Sequence, residues 1–207
     1  SRGLGDVYKR QDLDTLLETT VEVFNRKGFD GTSMEDLSKR LGISKSAIYH
    51  HVTSKDQLLD LAVDRALDGL AAAMAHTKEQ QAPALARLEY LIRESVAVLV
   101  DRRPFVTLLL RVRGNTEVER RALQRRRAFD QYAAGLVMEA AADGSVRPDI
   151  DPAVTARLLF GMVNSLIEWA RPGTEADLQE LADAVWAMAY SGLRDPDGAP
   201  RPHRLHD

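Results

Sequence analysis

The sequence predicts an all-α protein, on three observations. Apolar residues recur at intervals of three and four along most of the 207 residues, nothing alternates with the period of two that a half-buried strand needs, and capping residues precede several of the apolar runs. β-Branched residues are sparse, which points the same way. The chain is long enough to bury a substantial core. It has no cysteine, which excludes disulfides, thiolate metal sites and cysteine nucleophiles and suits a reducing, cytoplasmic setting. The longest apolar runs, such as residues 97–100, fall far short of the roughly 20 residues that cross a bilayer.

The elements follow in order. Residues 1–11 lack the apolar stretch of a secretory signal, and residues 6–11 resemble the translation of a transposase adapter used in sequencing libraries. Residues 1–11 are therefore expected to be non-native or disordered. Leu13, Leu16, Leu17, Thr20 and Phe24 share helical spacing, and Arg26 and Lys27 before Gly28 suit the negative end of a helix dipole, so a first helix ends near Lys27. Ser33 with Asp36 makes a capping box for a short helix over 34–40, which Gly42 ends. Ser44 caps a third helix to about His51, and Ser54 with Gln57 opens a long fourth one to about His76. Residues 12–57 read as one small domain and 58–194 as a second. In the latter, Pro83 opens a helix through Val100, Pro104 opens another, and an amphipathic helix covers about 116–142. Asp151 and Pro152 start a very apolar helix to Ala170, and Thr174 caps a last one to about Leu193. Residues 195–207, with three prolines and little apolar content, read as a disordered tail.

The spacing from Met34 to Val52 is that of a helix-turn-helix about Leu41-Gly42-Ile43. Gly42 suits the turn because a left-handed residue bearing a Cβ is strained by roughly 1–2 kcal/mol. At about 100° per residue, Lys45, Ser46, Tyr49 and His50 share one half of the second helix, and Ala47, Ile48, His51 and Val52 share the other. Between Leu37 and Lys55 stand Lys39, Arg40, Lys45 and Lys55, two histidines and no acid. The whole chain carries a net charge of -3, from 28 basic and 31 acidic residues, so contact with nucleic acid depends on such a local patch. Helix N-termini at Ser44 and Ser54 would add backbone N–H groups for phosphate oxygens. The alternative, a plain solvated surface, does not account for the turn, the caps and the separated faces together.

Residues 28–34, Gly-Phe-Asp-Gly-Thr-Ser-Met, followed by Leu-Gly-Ile-Ser-Lys-Ser-Ala-Ile-Tyr-His-His-Val-Thr-Ser-Lys-Asp-Gln-Leu-Leu at 41–59, resemble the DNA-binding domain of tetracycline-repressor-like (TetR) regulators. The likeness is close over 13–59, and the remainder agrees in helix number and length. It implies an N-terminal three-helix helix-turn-helix DNA-binding domain with a C-terminal helical domain for effector binding and dimerisation. It further implies a homodimeric repressor on double-stranded operator DNA, released by a small hydrophobic effector. Residue by residue, Lys45 and Ser46 would read base edges, Tyr49 and His50 would meet phosphates, and Lys55 would anchor a phosphate. Thr32 and Ser33 would add backbone contacts, beside the helix N-terminus at Ser44. Val52 stands where the family usually has an aromatic residue, and Ser38 where it usually has alanine.

Other chemistries find less support. His50 and His51 point about 100° apart with no carboxylate one turn on, so neither a metal nor a cofactor is expected. No Gly-x-Ser-x-Gly elbow or glycine-rich phosphate loop suggests an enzyme. The competing reading is an all-α small-molecule-binding or enzymatic protein with an unused helix-turn-helix. Arg111, Arg113, Arg120, Arg121, Arg125, Arg126 and Arg127 read as a solvated face with a Glu117–Arg121 pair, and alternatively as partners for an anionic effector. Leu67, Leu70, Met74, Leu88, Phe105, Leu109, Phe129, Tyr132, Phe160 and Trp169 are candidates to line an effector pocket. Leu158, Met162, Leu166, Leu178, Leu181, Val185 and Met188 are candidates for a dimer interface, because the last two helices carry more apolar surface than one chain easily buries.

Overall fold

The computed structural model describes residues 2–194 other than Pro172; the expected tail at 195–207 lies outside the described residues. Among the described residues the chain forms nine helices and no strand: α1 (Arg2–Lys27), α2 (Met34–Leu41), α3 (Lys45–Tyr49), α4 (Lys55–Glu79), α5 (Ala84–Asp101), α6 (Arg103–Arg111), α7 (Glu117–Ala142), α8 (Pro152–Trp169) and α9 (Glu175–Leu193). No helix among them is long and apolar enough to cross a membrane.

The capping residues do what their spacing predicts. Ser33 and Asp36 form a reciprocal box at α2, as do Thr116 and Glu119 at α7 and Thr174 and Asp177 at α9. Ser54 caps α4, but Gln57 reaches one residue further back than expected, its Oε1 accepting from the Thr53 N–H at 2.6 Å. Two boundaries differ substantially from expectation. Residues 2–11, expected to be non-native or disordered, continue α1 as helix, because extending a helix already nucleated by the packed turn at Leu16 and Leu17 costs little. Helix α4 runs three residues further, to Glu79, and ends where Gln80 turns to an extended backbone.

Leu16, Leu17, Val21 and Phe24 of α1 pack with Leu37 of α2, Ile48 of α3 and Leu58 and Leu59 of α4, all essentially inaccessible to water. Each such side chain stabilises the head by about 1.5–3 kcal/mol through burial, and the Phe24 and Phe29 rings meet edge to face at 5.3 Å. The bundle of α4 to α9 continues the same core through Leu88, Leu91, Ile92 and Leu136. Charged pairs on its outside tie helices together. Arg121 meets Asp60 at 2.8 Å, and Arg125 bridges Asp64 and Asp68 at 2.5 and 2.8 Å, joining α7 to α4. Glu117 pairs with Arg120 at 2.8 Å, one residue before the expected Arg121, which Asp60 takes instead.

Candidate functional site

Gly42 adopts φ 68° and ψ 26°, and the Ile43 N–H donates to the Ser38 carbonyl at 3.2 Å, which closes α2 and sets the departure of α3. Ser44 Oγ accepts from the Ala47 N–H at 3.2 Å and lies 2.8 Å from Ser46 Oγ. Ile48 and Val52 are buried and hold α3 to the head, while Ser44, Lys45, Ser46, Tyr49 and His50 remain exposed. The solvent-facing side of α3 is therefore the polar one. Tyr49 is 49% exposed, and Ile43, which spacing alone does not single out, stands exposed in the turn before α3.

The cations of the patch are less free than their count suggests. Lys45 Nζ lies 2.5 Å from Glu35 Oε2, and Lys39 Nζ lies 3.5 Å from Oε1 of the same carboxylate. The hydrogen bond from Lys45 holds the Glu35 carboxyl below the usual carboxylate range and raises the lysine in return. Arg40 meets Glu22 of α1 at 3.3 Å. Both acids lie outside the stretch from Leu37 to Lys55, so a charge count over that window could not find them.

Two expected phosphate contacts are corrected. Thr32 is only 2% exposed, and its hydroxyl donates to the Gly28 carbonyl at 2.7 Å. Lys55 Nζ donates to the carbonyls of Phe29 and Thr32, each at 2.9 Å, and stands 4.3 Å from the Phe29 ring centroid. The loop between α1 and α2 has carbonyls without helical partners, and a cation at the start of α4 satisfies them. Both side chains are engaged within the head. Ser33 is exposed, but its hydroxyl is engaged with Asp36 at 2.7 Å. That carboxyl is held far below its ordinary value, first by Lys27 at 2.6 Å and then by the N–H and hydroxyl of Ser33.

A partly open cavity lies within the bundle, walled by Leu70 of α4, Val98 and Leu99 of α5, Val106, Leu109 and Leu110 of α6, Phe129 of α7, and Phe160 and Val163 of α8. Leu70, Leu109, Phe129 and Phe160 were expected there. Leu67 and Met74 line an adjoining pocket that shares Leu70 and Phe129 with the cavity. The remaining four candidates line neither of these two pockets. Leu88 is sealed in the core and Phe105 packs against it, the Tyr132 hydroxyl lies 2.9 Å from Thr77 Oγ1, and Trp169, at the very end of α8, is 61% exposed. Arg126, one of the arginines offered to an anionic effector, completes the wall with Ser95, Asp130 and Asn164, which the sequence did not single out. Burial pushes the Asp130 carboxyl up, against the attraction of Arg126 and Arg157. Most of the arginine series is engaged elsewhere: Arg120, Arg121 and Arg125 with acids, and Arg111 with the Asn25 carbonyl at 2.5 Å.

The last two helices leave apolar side chains open to solvent. Leu158 is 69% and Met188 71% exposed, Val154 and Tyr190 are exposed with them, and Met162, Leu178 and Leu181 are half-buried or more open. Leu166 and Val185 are corrected as interface residues, since α8 and α9 turn them into the chain's own core.

The helix-turn-helix and the helical bundle coincide with two known sequence families. Residues 16–62 match the family described as bacterial regulatory proteins, tetR family, and residues 81–193 match the tetracyclin repressor-like C-terminal domain. The chain belongs to the TetR family. It is a DNA-binding transcriptional regulator whose helix-turn-helix lies inside the N-terminal match. The crystal structure of SCO3833, a TetR-family member from Streptomyces coelicolor A3, is similar at a TM-score of 0.80 and 50% identity, over 87% of this chain and 91% of that one. The HTH-type transcriptional repressor KstR2 of Mycolicibacterium smegmatis is 23% identical over 192 residues, 89% of this chain and 92% of the repressor. AibR, solved in complex with isovaleryl coenzyme A and operator DNA, shares the fold at a TM-score of 0.71 and 24% identity, over 85% of this chain and 96% of that one.

Proposed function

We propose that this TetR regulator is a homodimeric repressor that a small hydrophobic effector releases from a near-palindromic operator. Ser44, Lys45, Ser46, Tyr49 and His50 form the reading surface, with Lys45 and Ser46 on base edges and the others on phosphates. The exposed stripe of Val154, Leu158 and Met188 is the dimer seam. Gly161 and Gly192, where an added Cβ would meet nothing within 4 Å, let the partner's helices come close. Pairing there would set two heads about 34–36 Å apart, or a multiple of it, along one duplex. The work is binding rather than catalysis, and it takes place in the cytoplasm beside the operator.

The observation that carries the effector reading is the position of α6. Its Val106, Leu109 and Leu110 wall the cavity, while its Arg111 donates to the Asn25 carbonyl and the Asn25 amide donates to the Pro104 carbonyl at 2.8 Å. One short helix thus touches both the ligand space and α1 of the head. Arg103, at its other end, donates to the carbonyls of Ile167 and Ala170 at the end of α8, the helix that carries part of the dimer seam. Helix α4, 25 residues and so about 37 Å long, is the second link between head and bundle. A ligand that fits one head spacing better than the other shifts the equilibrium by its differential affinity, typically about 1–3 kcal/mol. The names of KstR2, a repressor, and AibR, solved with an acyl thioester and operator DNA, support the same reading. Thermal-shift screening of hydrophobic acids, coenzyme A thioesters and aromatic metabolites, followed by operator-binding anisotropy, tests it. A stabilising compound is expected to weaken operator binding about 5- to 150-fold; an unchanged operator affinity would overturn the effector reading.

A further inference from the structure

Four polar side chains interrupt the otherwise apolar wall of the cavity, and they differ in whether the protein itself satisfies them. The Ser95 hydroxyl donates to the Leu91 carbonyl at 2.7 Å, and Arg126 Nη1 reaches the Leu109 carbonyl at 3.4 Å. Asp130 of α7 and Asn164 of α8 make no side-chain hydrogen bond among the described residues, and no cation stands within ion-pair distance of Asp130. Asp130 is partly buried in this wall, and a ligand that displaces the remaining water from its carboxylate must supply a donor in return. Burial shifts it toward its neutral form, while Arg126 and Arg157 act on it only through space. A small number of polar groups set in a mostly apolar chamber is the usual way such sites orient a ligand.

We infer that the cavity takes a mostly apolar molecule with one hydrogen-bond-donating end, a hydroxyl or an ammonium, which donates to the Asp130 carboxylate. Asn164 lies in the same wall and offers both a donor and an acceptor, so a ligand hydroxyl can be met in both directions. Leu70, Val98, Leu109, Phe129 and Phe160 enclose the apolar body. A carboxylate head would set a second negative charge against Asp130, and Arg126, the cation in the same wall, already divides its charge between Asp130 and the Leu109 carbonyl. This inference rests on the proposed effector role of the cavity, and it narrows the effector to a class that the surface arginines did not indicate.

Four probes with one apolar body test it: 1-octanol, octylamine, octyl methyl ether and octanoate, titrated calorimetrically into the full chain. Octanol and octylamine are expected to bind about ten-fold or more tighter than the ether and octanoate, the scale of a hydrogen bond to a charged group. Asp130→Asn should abolish the advantage of octylamine and keep that of octanol, and Asp130→Leu should abolish both. Neither substitution removes a bond that the free protein makes, so both variants should melt no lower than the parent. Equal binding of all four probes, no binding of octanol and octylamine, or tightest binding of octanoate lost in Arg126→Ala would each overturn the inference. Operator anisotropy separates the two proposals. Donor probes that bind through Asp130 without moving operator affinity would leave the ligand class standing and remove the effector role, whereas release of operator by octanoate alone would do the reverse.

Discussion

The reading head and the bundle use their polar side chains in opposite ways. In the head, Thr32, Ser33, Asp36, Ser44 and Lys55 are engaged in turns and caps, and a small set on α3 is left facing water. In the bundle, Arg93 with Asp183 and Arg121 and Arg125 with the α4 aspartates pair on the outside. Apolar groups are what the bundle leaves open, in the cavity and along α8 and α9. A rigid backbone that presents short polar side chains suits the base edges and phosphates of a duplex. Open apolar surface suits a small molecule and a second copy of the chain. The two halves are specialised for different surroundings, and α4 and α6 are what they share.

Breaking the bundle's outer apolar face should have the largest effect. Leu158→Glu combined with Met188→Glu is expected to halve the mass seen in sedimentation and to lower operator affinity by about two orders of magnitude or more, as two-headed binding is lost. Both side chains are exposed, so the helical circular dichroism should survive; an unchanged dimer would place the seam elsewhere. Val185→Glu, by contrast, should damage the fold itself. The head is sharpened by Lys55→Ala, which should lower its stability by about 1.5–3 kcal/mol, the scale of hydrogen bonds from a charged group, and leave the salt dependence of DNA binding unchanged. A slope smaller by about one unit at unchanged melting temperature would return Lys55 to the phosphates. Gly42→Val comes next, at about 1–2 kcal/mol, because the turn needs a positive φ. Chemical denaturation that shows no loss would mean that the turn can rebuild. The smallest change belongs to Glu35→Gln: freeing Lys45 should raise operator affinity a few-fold at low salt, a gain that fades as salt screens the exposed pair.

The head was legible in the sequence because its determinants are local. A capping box, a left-handed glycine and an alternation of faces over Lys45 to Val52 all lie within a few residues of one another. Misreadings there came from contacts across the fold. Spacing shows that a cation stands at Lys55, but not that the Phe29 and Thr32 carbonyls lie within its reach. Nor does it show that Glu35 takes Lys45. The bundle hid more. Helix α8 is apolar nearly all round, so periodicity cannot say that Leu158 faces outward and Leu166 inward; the packing of α5, α7 and α9 decides it. Asp130, one turn after Arg126, looks in sequence like half of a surface ion pair, and only the placement of α5 and α8 turns it toward the cavity.

The most direct test of a symmetric dimer reading DNA through the exposed face of α3 is selection of bound sequences from a random duplex pool, with the parent chain and with Lys45→Ala in parallel. The account predicts a near-palindrome for the parent, with base preference altered at symmetry-related positions when Lys45 is removed. A parent consensus without two-fold symmetry, or one that Lys45→Ala leaves unchanged, would contradict it.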